Sequence, residues 1–399
     1  MRTATGICLV ANAVPGDHLD IRIEDRRRGA CRGRIQHLQT SSAERVAEPR
    51  CPAAHACGGC ALQYVRPAYQ AQVKNGWVRD AFAPYLAAHS SFEGITADDA
   101  VPGSRRRIRW WRGEDAQGAY WGFHARASHD VVRHSDCMAV TPRIRQLHAA
   151  LQGRSLPGVD SVQVTELADG MHVVLEGPEC PDTDGLPQAI DGLPVQLWHR
   201  SGNDLSPVNR PVLELHDRLP AGRGWIDLVT GPDDFIQASR AGNEAMIRQV
   251  QAWSVGARRV GDMFAGFGNL SLPLAAAIKA DVIGAEVRHA SVTAANKSAR
   301  RLGLDARYVR ADLFGHFDLS PFTGMDVLII DPPRKGARKI CQSLPILLPG
   351  KIVLVSCDIA SGARDAAMIA RHGYRLEAVR VLDMFPFAGH VEAMSLWVL

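Results

Sequence analysis

Four strand-like runs in the C-terminal part of this 399-residue chain each end in a residue that can do chemistry. Arg259–Phe264 runs into a turn in which Gly266 and Gly268 let the backbone approach a ligand closely. Glu286 ends the next run, Asp281–Glu286, where an acid can accept hydrogen bonds from both hydroxyls of a ribose. The turn lacks the third glycine of a dinucleotide fingerprint. Paired with Glu286, it still points to nucleotide-type binding rather than to an ordinary tight turn beside a surface acid. Asp326–Ile330 runs into Asp331-Pro332-Pro333-Arg334-Lys335-Gly336, and Lys351–Val355 into Ser356-Cys357-Asp358. In an open α/β sheet, ligands bind at the carboxyl ends of the strands, so Asp331 and Cys357 open onto the crevice of Gly266 and Glu286. A lone cysteine is ordinarily a buried structural thiol. At this strand end, in the sheet of the cofactor loop, Cys357 reads as functional.

The chain has nine cysteines, an odd number. Its start, MRTATGICLV, has no charged region leading into a long apolar stretch, so neither a signal peptide nor a disulfide framework is expected. The uneven spacing suggests a metal site and a catalytic thiol. Cys51-x5-Cys57-x2-Cys60, followed at a distance by Cys137, is a set of four thiols that could hold zinc or an iron–sulfur cluster. Two paired CxxC knuckles would favour zinc; a single loop of three cysteines is a different pattern. Cys8, Cys31, Cys180 and Cys341 match no motif and read as structural.

The elements that must position these residues follow from patterning. From about residue 240, strand-like runs (including Arg307–Arg310) alternate with helical segments such as Ala241–Trp253 and Ser291–Leu302. This predicts a doubly wound, mainly parallel α/β sheet. Arg375–Leu382 and His390–Leu399 predict a closing β-hairpin. Ahead of it, residues 51–239 read as a central α+β domain with a helix at Tyr69–Leu86, and residues 1–50 as a small β unit broken by VPGD. Three domains are expected: 1–50, 51–239 and 240–399.

Net charge is +4, with 46 basic and 42 acidic side chains, too even to name a partner. The distribution says more. Arg22, Arg26, Arg27, Arg28, Arg32 and Arg34 form one cluster. Arg105, Arg106, Arg107, Arg109 and Arg112 form another, beside Trp110 and Trp111. Planar guanidinium forks suit phosphate, although codon bias toward Arg along the chain would also produce such clusters. No apolar run of about 18 residues occurs, so no membrane span is expected, and the default compartment is the cytoplasm.

Taken together, DMFAGFGNLSLPLA, DPPRKG, VSCD and GHVEAM, in this order, resemble the motif set of RNA uracil-C5 methyltransferases. The cysteine pattern resembles the subfamily with a [4Fe–4S] cluster. The resemblance covers nearly the whole chain and implies a Rossmann-like domain that uses S-adenosyl-L-methionine. It implies a nucleophile at Cys357, a general base at Glu392, cofactor contacts at Gln237, Phe264, Gly266, Gly268, Asn269, Glu286 and Asp331, and cluster ligands at Cys51, Cys57, Cys60 and Cys137. It also implies an RNA partner, with ribosomal RNA favoured over tRNA, and a monomer. Family members usually begin with a TRAM-type β-barrel, of which only a truncated part is expected here. Ala265 and Ser239 replace the family's usual Cys and Asn. Two other readings compete. An RNA-binding module with a degenerate enzyme domain conflicts with intact Cys357, Asp331 and Glu392. An amino-group methyltransferase usually has an aromatic after its D/N-PP motif, where Arg334 stands here.

Overall fold

Runs of Val, Ile and Leu buried on both faces make the parallel strands of the C-terminal sheet, as sheets covered on both sides require. In the computed structural model, which describes residues 2–3, 6–27, 30–99 and 101–399, these strands are β1 (Arg259–Met263), β2 (Asp281–Glu286), β3 (Ala306–Arg310), β4 (Val327–Ile330), β5 (Lys351–Ser356), β6 (Arg375–Leu382) and β7 (Glu392–Val398). Their order is β3-β2-β1-β4-β5-β7-β6, and the distant strand Ser91–Glu93 pairs in parallel with β6. The order reverses between β1 and β4, which opens a crevice above their carboxyl ends.

The tail does more than finish the sheet. β7 inserts between β5 and β6, antiparallel to both. Ser356 pairs with Ala393, so Cys357, one step past the end of β5, meets Glu392, one step before Ala393. An antiparallel tail is thus the device that brings the start of the last strand to the crevice.

One face of this sheet packs a core that includes Leu215, Leu219 and Leu228 from the hairpin Leu215–Ala221/Gly224–Thr230 and Met246 and Val250 from the helix Arg240–Trp253. The other face packs Val78 and Phe82 of the helix Pro67–Phe82 together with Ala366 and Ile369 of the helix Ile359–Arg371.

A second, eight-stranded sheet runs through residues 107–207. Its strand Arg107–Asp115 alternates inward and outward, and Ile108 and Trp110 enter a core beneath the helix Pro142–Leu151. At the N-terminus, Arg2–Thr3, Gly6–Val10, His18–Arg27 and Ala30–Thr40 form a four-stranded sheet. Among the described residues no helix is long and apolar enough to cross a membrane.

Candidate active site

At the end of β1, Phe264 (φ 65°), Gly266 (φ 55°) and Gly268 (φ 87°) all take left-handed backbone conformations. A non-glycine residue there is uncommon, and such strain gathers at functional sites. A Cβ on Gly266 would meet nothing within 4 Å, so space stands open beside the turn, whereas one on Gly268 would strike Leu272 at 2.6 Å. The Glu286 carboxylate accepts the Gly266 N–H (3.1 Å) and the Arg288 N–H (2.9 Å). Each oxygen keeps a lone pair for a ligand hydroxyl.

Beneath the turn lies a group that motif reading missed. Ser271 donates to buried Asp262 (2.5 Å) and shares a hydrogen bond with Tyr308 (2.7 Å). Burial pushes Asp262 up to about 7. An apolar strand interrupted by Asp262 at the fourth residue was the available signal. Asn269 makes a reciprocal amide pair with Asn243, both bonds 2.8 Å, so its side chain ties the turn to the helix Arg240–Trp253. Ser239 caps that helix by accepting from Gly242 N–H (3.2 Å).

Asp331, Cys357 and Glu392 face one another across the crevice. Gln237 donates to Asp331 (3.4 Å), which burial pushes up to about 7. Burial, then the charges of Glu392 and Asp331, push the Cys357 thiol up to about 11, and Arg334 opposes them. Glu392 is 4% exposed and is driven well above the usual carboxylate range by burial and then Asp331, again against Arg334. Arg334 also touches the His390 ring (3.1 Å).

Local sequence sets this geometry. Asp358 caps the helix Ile359–Arg371 by accepting from Ser361 N–H (2.8 Å), so the helix begins immediately after Cys357. Gly336 turns the chain back at φ 75° where any Cβ would strike Arg364 and Asp365. The loop leading to Glu392 is held by Lys74, fully buried, which bonds both Asp383 oxygens (2.7 and 2.8 Å) and the Phe385 carbonyl (3.0 Å).

Cys51, Cys57, Cys60 and Cys137 gather in one place. Burial raises Cys57, Cys60 and Cys137, the last to about 11, and their charges add: Cys51 raises Cys57, both raise Cys60, and all three raise Cys137. All four are free thiols. Among the described residues no three His, Cys, Asp or Glu side chains are arranged to hold a single metal ion.

The arginine clusters divide. Arg106 lies inside, bonding both Asp217 oxygens (2.8 Å) and the Gln237 carbonyl (3.0 Å); it is part of the core rather than a surface contact. Arg105, Arg107 and Arg109 remain partly exposed. Arg22, Arg26, Arg32 and Arg34 are exposed on the N-terminal sheet, while Arg28 and the side chain of Arg27 lie outside the described residues.

A doubly wound sheet with a glycine turn and a ribose-type acid at its switch point defines an α/β enzyme with a nucleotide-type cofactor site. No protein-family profile matches the chain. It is 34% identical over 417 aligned positions, 97% of this chain and 88% of the relative, to the 23S rRNA (uracil(1939)-C(5))-methyltransferase RlmD of Pseudomonas aeruginosa (strain UCBPP-PA14). To the protein of the same name from Shewanella baltica (strain OS223) it is 30% identical, over 98% of this chain and 91% of the relative. Its fold matches the crystal structure of Pyrococcus abyssi tRNA (uracil-54, C5)-methyltransferase in complex with S-adenosyl-L-homocysteine. That match has a TM-score of 0.73 at 22% identity and covers 99% of this chain and 96% of the other. The chain belongs to the RNA uracil-C5 methyltransferase family and is an S-adenosylmethionine-dependent transferase.

Proposed function

We propose that the chain methylates C5 of a uridine in 23S ribosomal RNA, at the position named for its bacterial relatives, through a covalent bond between Cys357 and C6 of the base. The observation that carries this reading is the meeting of Cys357 and Glu392, set by the β5–β7 register, beside Asp331 at the end of β4. The fit to S-adenosylmethionine is supported by the open space at Gly266, the remaining lone pairs of Glu286 and the Gln237–Asp331 pair. When bound, the cofactor supplies an electrophilic methyl group.

Cys357, as thiolate, adds to C6 and makes C5 enolate-like, able to attack the methyl carbon. Glu392 then takes the C5 proton, the S–C6 bond breaks, and the C5–C6 double bond returns. The charge of Glu392 raises the proton affinity of Cys357, which disfavours both being charged at once. The reaction never needs both: once the sulfur is a neutral thioether, Glu392 can ionise.

Cys51, Cys57, Cys60 and Cys137 would hold a [4Fe–4S] cluster, whose four thiolates sit on four different irons and so need not converge on one ion; the support is that these four free thiols are near enough to feel one another's charge. Methyl transfer consumes no electrons, so the cluster's role is to order the chain around it. Residues 1–50, 51–239 and 240–399 serve as N-terminal β unit, RNA-contacting domain and methyltransferase domain.

The thiol and the carboxyl act at different steps, so their variants should fail differently. Cys357→Ala should bind RNA and form no adduct. Glu392→Gln should add and transfer the methyl group, then accumulate a protein–RNA adduct that survives denaturation. Near wild-type methylation by Cys357→Ala would overturn the mechanism.

A further inference from the structure

Cys8 and Cys31 match no motif, yet the N-terminal sheet brings them together. Gly6–Val10 and Ala30–Thr40 are neighbouring parallel strands, and their register sets Cys8 directly beside Cys31. Residues paired in this way point to the same face, on backbones about 4.8 Å apart. That separation lies inside the span of about 4.4–6.8 Å over which a disulfide joins two Cα atoms. The side chains meet as well. A hydrogen bond between the two thiols, then burial and the charge of Cys31, raise Cys8 above the usual thiol range. Gly33, two residues beyond Cys31 and on the same face, leaves the pair room: a Cβ there would lie 3.4 Å from the Cys8 sulfur. Neither cysteine takes part in a disulfide.

The two thiols are not equivalent. Cys8 is fully buried and Cys31 half-buried. On the other side of Cys31, the antiparallel register with His18–Arg27 sets the exposed Arg26 directly opposite. One row therefore crosses three strands, from Arg26 through Cys31 to Cys8. A reachable thiol with a cation on one side and a second thiol in contact on the other is suited to oxidation followed by capture. The strand that carries Cys8 is also lightly held. Gly6–Val10 pairs with Ala30–Gly33 through four residues and with Arg2–Thr3 through two, so a covalent tie at Cys8 would fix it.

We propose that Cys8 and Cys31 form a dithiol that a small hydroperoxide oxidises to a reversible disulfide, with Cys31 attacking the peroxide and Cys8 resolving the product. The Cys31 thiolate attacks one peroxide oxygen and the O–O bond breaks. The other oxygen leaves, takes up a proton and departs as an alcohol, or as water from hydrogen peroxide. Cys31 is then a sulfenic acid. The Cys8 sulfur gives up its proton and attacks the Cys31 sulfur. The S–O bond breaks, and the hydroxide leaves with that proton as water. Two electrons have passed from the sulfur pair to the peroxide. This chemistry needs neither the methyl donor nor RNA, and it stands apart from the catalytic reading.

The test uses the full chain purified without oxygen and treated with equimolar hydrogen peroxide. Remaining thiols are blocked with iodoacetamide, and tryptic peptides are mapped without reduction. The Cys8 peptide should appear joined to the Cys31 peptide, and dithiothreitol should separate the two and restore their alkylation. Hydrogen exchange across Gly6–Val10 should be slower in the oxidised protein than in the reduced one. Cys8→Ser should stop at the first step and leave a sulfenic acid on Cys31 that dimedone labels. Cys31→Ser, a change at the half-buried position, should leave Cys8 reduced at the same dose. Full alkylation of both cysteines after peroxide in wild type would overturn the proposal. So would a bond from Cys31 to any cysteine other than Cys8. Oxidation of Cys8 in Cys31→Ser as fast as in wild type would remove Cys31 as the attacking sulfur.

Discussion

Cys357 carries a burden that its motif does not disclose. Half-buried beside two acids, its thiol is pushed up to about 11, so at neutral pH the nucleophilic thiolate is a small fraction of the free protein. The sign is fixed: below that pKa the thiolate fraction rises about tenfold for each pH unit. Alkylation of Cys357 in the unliganded protein, followed by mass spectrometry of its peptide, should therefore climb about tenfold per unit from roughly pH 7 to 9 with no plateau. Arg334 lowers the thiol, so Arg334→Gln should move the profile to higher pH. Glu392 raises it, so Glu392→Gln should move it to lower pH. A plateau near pH 8 would show an ordinary solvated thiol and remove this account of the site's electrostatics. The same balance assigns Arg334 a second task besides its contact with His390: it is the cation that makes both Cys357 and Glu392 easier to ionise.

At the scale of elements, β1, β2, β4 and β5 were legible because each is an apolar run ending in a chemical residue, and period alone places such residues at a strand's end. The position of Glu392 was not. Its place depends on β7 threading between β5 and β6, a choice made by tertiary pairing and written in no local pattern. Nor could the strand Ser91–Glu93, paired with β6 nearly 290 residues later, be seen from its neighbourhood. The arginine cluster was half legible. The two-residue period of a strand separates Arg107 and Arg109 from the buried side, but the burial of Arg106 against Asp217 comes from a distant hairpin. Lys74 is the extreme case, bonded to Asp383 across 309 residues of sequence. It anchors the loop that delivers Glu392, and removing one partner of such a buried pair costs about 3–5 kcal/mol. Lys74→Met should accordingly lower the melting temperature by several degrees. It should also slow the release of the 5-methyluridine product from its adduct more than it slows adduct formation, because Glu392 acts in the later step. The double variant Lys74→Met/Asp383→Leu should regain stability without regaining that step. Equal slowing of both steps would make Lys74 a structural residue only.

For the whole molecule, the cysteine loop is the junction between the two large sheets. Gly58 N–H bonds the His124 carbonyl (3.1 Å) and Cys57 bridges to Ala125, which fastens the loop to the central sheet. A Cβ on Gly58 would meet that carbonyl at 3.1 Å, so the approach depends on glycine. On the other side, Leu62 N–H bonds the Phe387 carbonyl (2.7 Å) in the loop ahead of Glu392, and Gln70 holds the carbonyls of Leu62 and Val65. The loop therefore touches both the central sheet and the segment ahead of Glu392. A metal cluster bound by Cys51, Cys57, Cys60 and Cys137 would convert three loop residues and one residue from the central region into a single rigid staple, and binding to the folded state alone adds directly to its stability. Protein purified without oxygen should contain about four iron atoms per chain, as a four-thiolate cubane requires. Chelation after oxidation, or Cys57→Ser, should lower the unfolding midpoint. It should also weaken RNA binding and slow adduct resolution together, since the loop contacts both lobes, while leaving S-adenosylmethionine affinity near that of the intact protein, because Gly266, Glu286 and Asp331 lie on a sheet the loop does not build. Stoichiometric zinc without iron would replace the cluster with a single-ion site. Loss of cofactor affinity in step with iron would show that the staple reaches the methyltransferase sheet itself.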